Sequence, residues 1–265
     1  MPLSATRTLV LMPFAIALNI VLGSTVQQVL KLPVYLDSLG TILTGLLAGP
    51  VPGLVTGALT DLIWAYVLPP PLAAPTAGPF AITAAVIGLL AGLYGWLGLF
   101  RVRRGAAPTA LVAAIVAVAV VGYAVLRVFT GAYRHPLAFD LSEVAFVLVI
   151  AVFAVLAAWA LFARRDAGAV VALACGLAMG VVSAVVSAPI AAYVFGGVTG
   201  FGGDLLVAAF RLGGANLLQA TLDQSLLSDP LDKMITCLLA FLVLAALPRR
   251  MVARFPNGER LLEPA

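Results

Sequence analysis

FGGVTGFGGDLLVAAFRLGGANLLQATLDQSLLSDPLDK, Phe195 to Lys233, is the stretch whose reading decides the fold. It places six glycines in its first nineteen residues and carries Asp204, Asp223, Asp229 and Asp232. Nearly everything on either side is greasy enough to lie in lipid. Irregular backbone exposed to lipid leaves amides unpaired, so such a segment belongs at a membrane surface or around a protected cavity. A small-molecule pocket, an inert turn between helices and an interfacial helix without a ligand all fit that constraint.

Working outward, the chain of 265 residues is 63% hydrophobic and only 10% charged. Soluble domains carry about 25% charged residues, and a chain at under half that share cannot coat a water-facing surface. The composition points to an all-α polytopic membrane protein, organised as one integral-membrane domain over 1–265. A net charge of +4 says nothing of nucleic acid, because the basic residues sit at the ends of apolar runs. Cys175 and Cys237 lie inside such runs and read as small buried hydrophobes, without a zinc or disulfide pattern. Met1 to Arg7 lead into an apolar run without an A-x-A site, which predicts a retained first helix.

A spanning helix needs ~20 apolar residues. That rule predicts about eight spans in a compact bundle, at 8–27, 36–50, 51–69, 79–100, 108–130, 143–163, 168–190 and 231–248. Gly49-Pro50-Val51-Pro52-Gly53 reads as a tight turn joining the second and third as an antiparallel pair. A further helix near 204–220, capped by Asp204 and too polar to span, is expected to be re-entrant or interfacial on the outer face. Arg7, Arg101, Arg103, Arg104, Arg164, Arg165, Arg249, Arg250 and Arg254 flank alternate loops. The positive-inside rule places them all in the cytoplasm when both termini are cytoplasmic and the span count is even. The opposite side then holds Gln27, Gln28, Lys31, Tyr35 and Asp37, the PPPLAAP run, Tyr133 to His135 with Asp140, and the 190–230 stretch. No soluble domain or P-loop is present in this sequence, so any energy source is an ion gradient or a partner.

Ionisable groups inside spans are costly and are functional candidates by default. Tyr35, Asp37 and Thr41 are candidates for a pocket near the outer face, although Asp37 could equally cap its helix. Asp61 lies midway along the third span and cannot be a cap. It faces a polar cavity, with Asn19 or Thr41 as neighbours, or ties helices together. Trp64, three residues on, shares its face and suits a flat heterocycle, while Trp64 and Tyr66 could equally be interfacial belt residues, a reading that favours Tyr66 slightly more. Phe195, Gly197 and Thr199 belong to a glycine loop that could close as a lid, and Asp223 and Gln224 precede the last span. In SDPLDK, Ser228 or Asp229 can cap that span with Pro230 in its first turn, and Asp229 can pair with Lys233. That reading leaves Asp232 unexplained. His135 is the sole histidine, and no HExxH, GxSxG or DDxxD motif occurs, so neither catalytic nor metal-binding residues are assigned. Small residues recur at Ala15, Asn19 and Gly23, at Gly45, Gly49 and Gly53, at Gly88 and Gly92, and at Gly176 and Gly180. Such spacing lets helices approach closely, within the bundle or against another subunit.

Three of these strings together resemble the substrate-binding S components of energy-coupling factor transporters, in the vitamin or vitamin-precursor branch. They are YLDSLGTILTGLLAGPVPGLVTGALTDLI (Tyr35 to Ile63), APIAAYVFGGVTGFGGDLL (Ala188 to Leu206) and SLLSDPLDKMITCLLAFLVLAALP (Ser225 to Pro248). The resemblance implies a multi-pass protein of a prokaryotic cytoplasmic membrane that captures a small vitamin-like solute outside. It implies docking on a membrane coupling subunit driven by two cytoplasmic ATPases, with toppling to release the cargo inside. The family's usual core has six helices, fewer than the spans read here. Its docking face uses small residues of the first helix, which Ala15 and Gly23 match loosely. In this reading the 24–36 segment and the 196–203 loop close over the solute, with Asp37, Asp61, Trp64 and Asp223 contacting it. No cofactor is implied. An ion-coupled carrier with Asp61 as its proton or cation site, a membrane sensor module and an intramembrane enzyme remain open alternatives.

Overall fold

The computed structural model describes residues 3–29, 35–101 and 168–262. The named elements within them are all helical: α1 (Leu3–Gly23) running into a π-helical turn (Ser24–Val29), α2 (Leu39–Ala48), α3 (Pro50–Tyr66), a 3-10 turn (Pro75–Phe80) and α4 (Ala81–Trp96). After the undescribed stretch come α5 (Gly168–Tyr193), α6 (Asp204–Leu212), α7 (Leu217–Ala246), α8 (Arg249–Val252) and a 3-10 turn (Gly258–Leu261). The spans expected at 108–130 and 143–163, and the outer segment with Tyr133, Arg134, His135 and Asp140, lie outside the described residues.

Among the described residues, three helical stretches are long and apolar enough to cross a bilayer: Ser4–Gln27, Pro75–Trp96 and Gly168–Tyr193. The chain is therefore compatible with an all-α membrane protein. The other expected spans are altered. α2 has 10 residues, which at ~1.5 Å per residue covers about half of a ~30 Å hydrocarbon core. α7 is longer than the expected last span, at 30 residues, and runs straight through Pro230. The cap is Asn216, whose side chain accepts the Gln219 amide at 2.9 Å, not Ser228 or Asp229. The expected helix at 204–220 is also two pieces. Gly213 and Gly214 end α6, Gly214 with φ of 97°, a conformation that only glycine adopts without strain.

Small residues set the crossings. Gly45 lies against Gly53 and Thr41 against Gly57, pairings that make α2 and α3 an antiparallel hairpin about Gly49. α4 returns antiparallel to α3, since Gly53 meets Gly88 and Gly57 meets Ala84 backbone to backbone. α5 and α7 form the other close pair: Gly176 faces Lys233 and Met234, and Gly180 faces Pro230. The two groups meet where α4 contacts α5 and α2 contacts α7. Between them runs a core of Ile42, Leu46, Ala91, Met179, Leu238 and Phe241.

One end gathers the described arginines other than Arg211. The Arg7 guanidinium donates to the Arg254 carbonyl at 3.3 Å, and Arg260 lies 5.4 Å from the Trp96 ring centroid. The chain after α7 folds back beneath the bundle there, its Asn257 amide donating to the Leu47 carbonyl at 3.0 Å. Val252 and Leu261 are buried with Phe100. The opposite end holds the glycine loop and the cavity described next.

Candidate functional site

In the half of the bundle away from the arginines, the two helix groups part around a cavity of about 860 Å³ of atom-free space, its mouth included. α7 supplies one wall. Its Ser225, Asp229 and Lys233 recur every four residues, so helical periodicity brings them to one face. Ser183 and Ser187 of α5 share that wall, and both hydroxyls donate to Asp229 Oδ2, at 2.9 and 3.1 Å. Asp229 therefore bonds to serines and not to Lys233.

Lys233 turns instead to Asp232, which it contacts directly, and to Ser38, whose hydroxyl accepts at 2.9 Å; Asp37 Oδ1 lies 3.9 Å away. Lys233, Asp232 and Ser38 are buried and Asp37 partly so; in the interior a charge is tolerated only when paired and hydrogen-bonded. The other Asp232 oxygen accepts the backbone amides of Tyr35 and Leu36 at 3.0 and 2.8 Å. Leu36 has φ of 50°, an uncommon value for a residue with a side chain. Asp232 is the group that holds it there, which is the role the capping account of SDPLDK left open.

The opposite wall comes from the segment before α2 and from α3 and α4. Asp37 accepts from Gln27 at 2.8 Å. Tyr35 accepts from Gln224 at 3.2 Å, which leaves its own hydroxyl proton free to donate. Burial, with the Asp229 carboxylate acting in the same direction, holds the Tyr35 phenol far above its ordinary range, so it stays protonated. Trp64 is 1% exposed and donates through its indole to the Leu72 carbonyl at 3.0 Å. Asp61, 7% exposed, makes no hydrogen bond or ion pair among the described residues. Neither does the hydroxyl of Thr83, buried in the same wall.

The glycine loop covers this space with Gly197, Thr199, Phe201 and Gly203. Asp204 fastens it: Oδ1 accepts the Thr199 amide and hydroxyl at 2.9 and 2.7 Å, and Oδ2 the Gly200 amide at 2.7 Å. Asp204 is thus a loop clasp at the start of α6, with Gly203 in the cap position. Two aromatic contacts seat the loop. Phe195 stacks on Phe80 with centroids 5.6 Å apart, and Phe201 meets Trp64 at 6.5 Å.

Of the expected site residues, Tyr35, Asp37, Asp61, Trp64, Gly197, Thr199 and Gln224 line this one cavity. Asn19 and Thr41 do not. Asn19 is fully buried behind the wall, donating to Thr41 and Thr60 at 2.8 and 3.1 Å and accepting the Gly40 amide at 2.6 Å. It is a clamp between α1, α2 and α3. Phe195 acts through its stacking on Phe80, and Asp223 is half-buried away from the lining. Ala15 and Gly23 are not available to a partner, because Ala15 packs on Gly40 and Gly23 on Trp64 and Asp37. Ser183, Ser187 and Thr83 were missed. The i, i+4 serines in an apolar helix were the available signal; a lone threonine offered none. No trio of His, Cys, Asp or Glu among the described residues is placed to hold a metal ion. No protein-family model, curated protein or solved structure matches the chain.

Proposed function

We propose that this protein is a membrane-embedded binding subunit that captures a small vitamin-like solute and passes it to a partner-driven transporter of the energy-coupling factor type. One observation carries the reading. A bundle with a mostly apolar described core keeps a cavity of about 860 Å³, its mouth included, lined by Asp61, Asp229, Lys233 and Trp64 and roofed by a clasped loop. Small-molecule sites are mostly apolar with a few placed polar groups, and this lining has that makeup. With the arginine-rich end in the cytoplasm, the loop end faces outward, in a cytoplasmic membrane with both termini inside. The motive force then comes from a membrane coupling subunit and two ATPases.

Reconstitution separates this from an ion-coupled carrier, the reading that the unpartnered carboxyl of Asp61 favours. The purified chain alone in liposomes is expected to bind solute without moving it. Uptake driven by a proton or sodium gradient, with no other subunit present, would replace the proposal with the carrier.

A further inference from the structure

The hydrogen-bond inventory of the cavity shows a specific deficit. Asp229 has two serine donors, Asp37 has Gln27, and Lys233 is shared among Asp232, Ser38 and Asp37. What remains is the carboxyl of Asp61, 7% exposed, lining the space with no partner among the described residues. In the same lining, the Thr83 hydroxyl is also unsatisfied. A carboxylate in contact with a cation stays ionised and only accepts, so the group that completes this site is a donor. A buried polar group without a partner is expensive, and such groups in native structures mark an unfilled role.

Charge points the same way. Among the described residues, four carboxyl side chains, Asp37, Asp61, Asp204 and Asp229, line the cavity with one cation, Lys233, which Asp232 already neutralises. An anionic solute would meet this surplus with no free positive group among the described residues to receive it. The remaining lining, with Trp64, Phe80, Ile87, Phe201 and Val207, rejects a bare metal ion and fits a carbon skeleton. Aromatic faces also attract cations, that of tryptophan most strongly.

We infer that the solute is a small organic cation whose charged N–H group rests on Asp61 and whose flat body lies among Trp64, Phe80 and Phe201. This rests on reading the cavity as a solute site, and it adds the chemical class.

The test uses the purified full chain in mild detergent and matched probes of similar shape. Benzamidinium is set against benzamide, 2-phenylethylammonium against 2-phenylethanol, and benzoate serves as the anion. Thermal stabilisation and calorimetric binding are read for each. The expected result is binding of the cations over their neutral partners, with benzoate inert. Asp61→Asn weakens the cations about tenfold or more, the scale of a lost hydrogen bond to a charged group, and erases the preference. Asp61→Glu, which keeps the charge, keeps the preference and is the variant to read should Asp61→Asn fail to fold. Equal binding within each pair, or selection of benzoate, would overturn the cation assignment and leave the cavity reading standing. No response to any probe would overturn both.

Discussion

The carboxylate of Asp232 accepts the backbone amide of Leu36 at 2.8 Å, across 196 residues of sequence. The same side chain holds Lys233. One buried aspartate therefore fixes the entry to α2 and neutralises the cavity's cation. Asp232→Ala is expected to cost about 3–5 kcal/mol, the usual penalty for orphaning one member of a buried ion pair. The double variant Asp232→Ala/Lys233→Met should lose less than the two single losses summed, because no charge is stranded. Unfolding midpoints in detergent for the four proteins read this directly.

Asn19 and Asp61 should separate cleanly. Asn19→Ala breaks three buried hydrogen bonds and is expected to destabilise by about 2–4 kcal/mol. Asp61→Asn breaks none, so the variant should stay within about 0.5 kcal/mol of the parent in stability or gain slightly, since an unpartnered buried carboxyl is itself unfavourable. A large destabilisation by Asp61→Asn would show the carboxyl to be a structural tie.

This pair also marks what the sequence could tell. Membrane class followed from the shortage of charge, and the hairpin about Gly49 from its Gly-Pro-Val-Pro-Gly turn. The polar residues were identifiable as special because lipid makes them costly. Their division between clamp and cavity was not, since Asn19 and Asp61 are both lone polar groups in apolar helices. Only the crossing of α1 over Gly40 aims Asn19 away from the cavity. Pro230 is misleading for a physical reason: proline ordinarily marks a helix's first turn, and here α7 continues through it, with Pro230 packed closely on Gly180 of α5. The folded tail at Val252 and Leu261 was not foreseen either. Its apolar residues are too sparse to form a periodic pattern, and they are buried only by Phe100 and its neighbours.

Asp204 is predicted to govern loop opening more than folding. Asp204→Ala removes three hydrogen bonds from the Thr199–Gly200 corner at the rim of the cavity. Amide hydrogen exchange should rise sharply over 196–203, while α5 and α7 keep their protection. Protection lost across the whole molecule would make Asp204 part of the core and the loop no independent cover.

Close backbone approach makes Gly88 and Gly180 sensitive. A Cβ added at Gly88 would lie 2.1 Å from the Gly53 carbonyl oxygen, and one at Gly180 2.3 Å from Pro230 Cα. Neither neighbour is a flexible side chain. Gly88→Val and Gly180→Val should each cost at least about 1–3 kcal/mol, the range for overpacking a close-packed site. The loss should appear as reduced recovery of monodisperse protein and a lower unfolding midpoint. Full stability in either variant would mean that the helices cross elsewhere.

The central claim is that the space between Asp61 and Asp229 holds a small solute. Immobilised protein is exposed to the small-molecule extract of bacterial cells, washed and eluted for mass spectrometry, beside a Thr83→Trp variant that fills the cavity. A compound enriched on the parent protein and absent from the variant is the predicted result. Indistinguishable eluates from two equally well-folded proteins would contradict it.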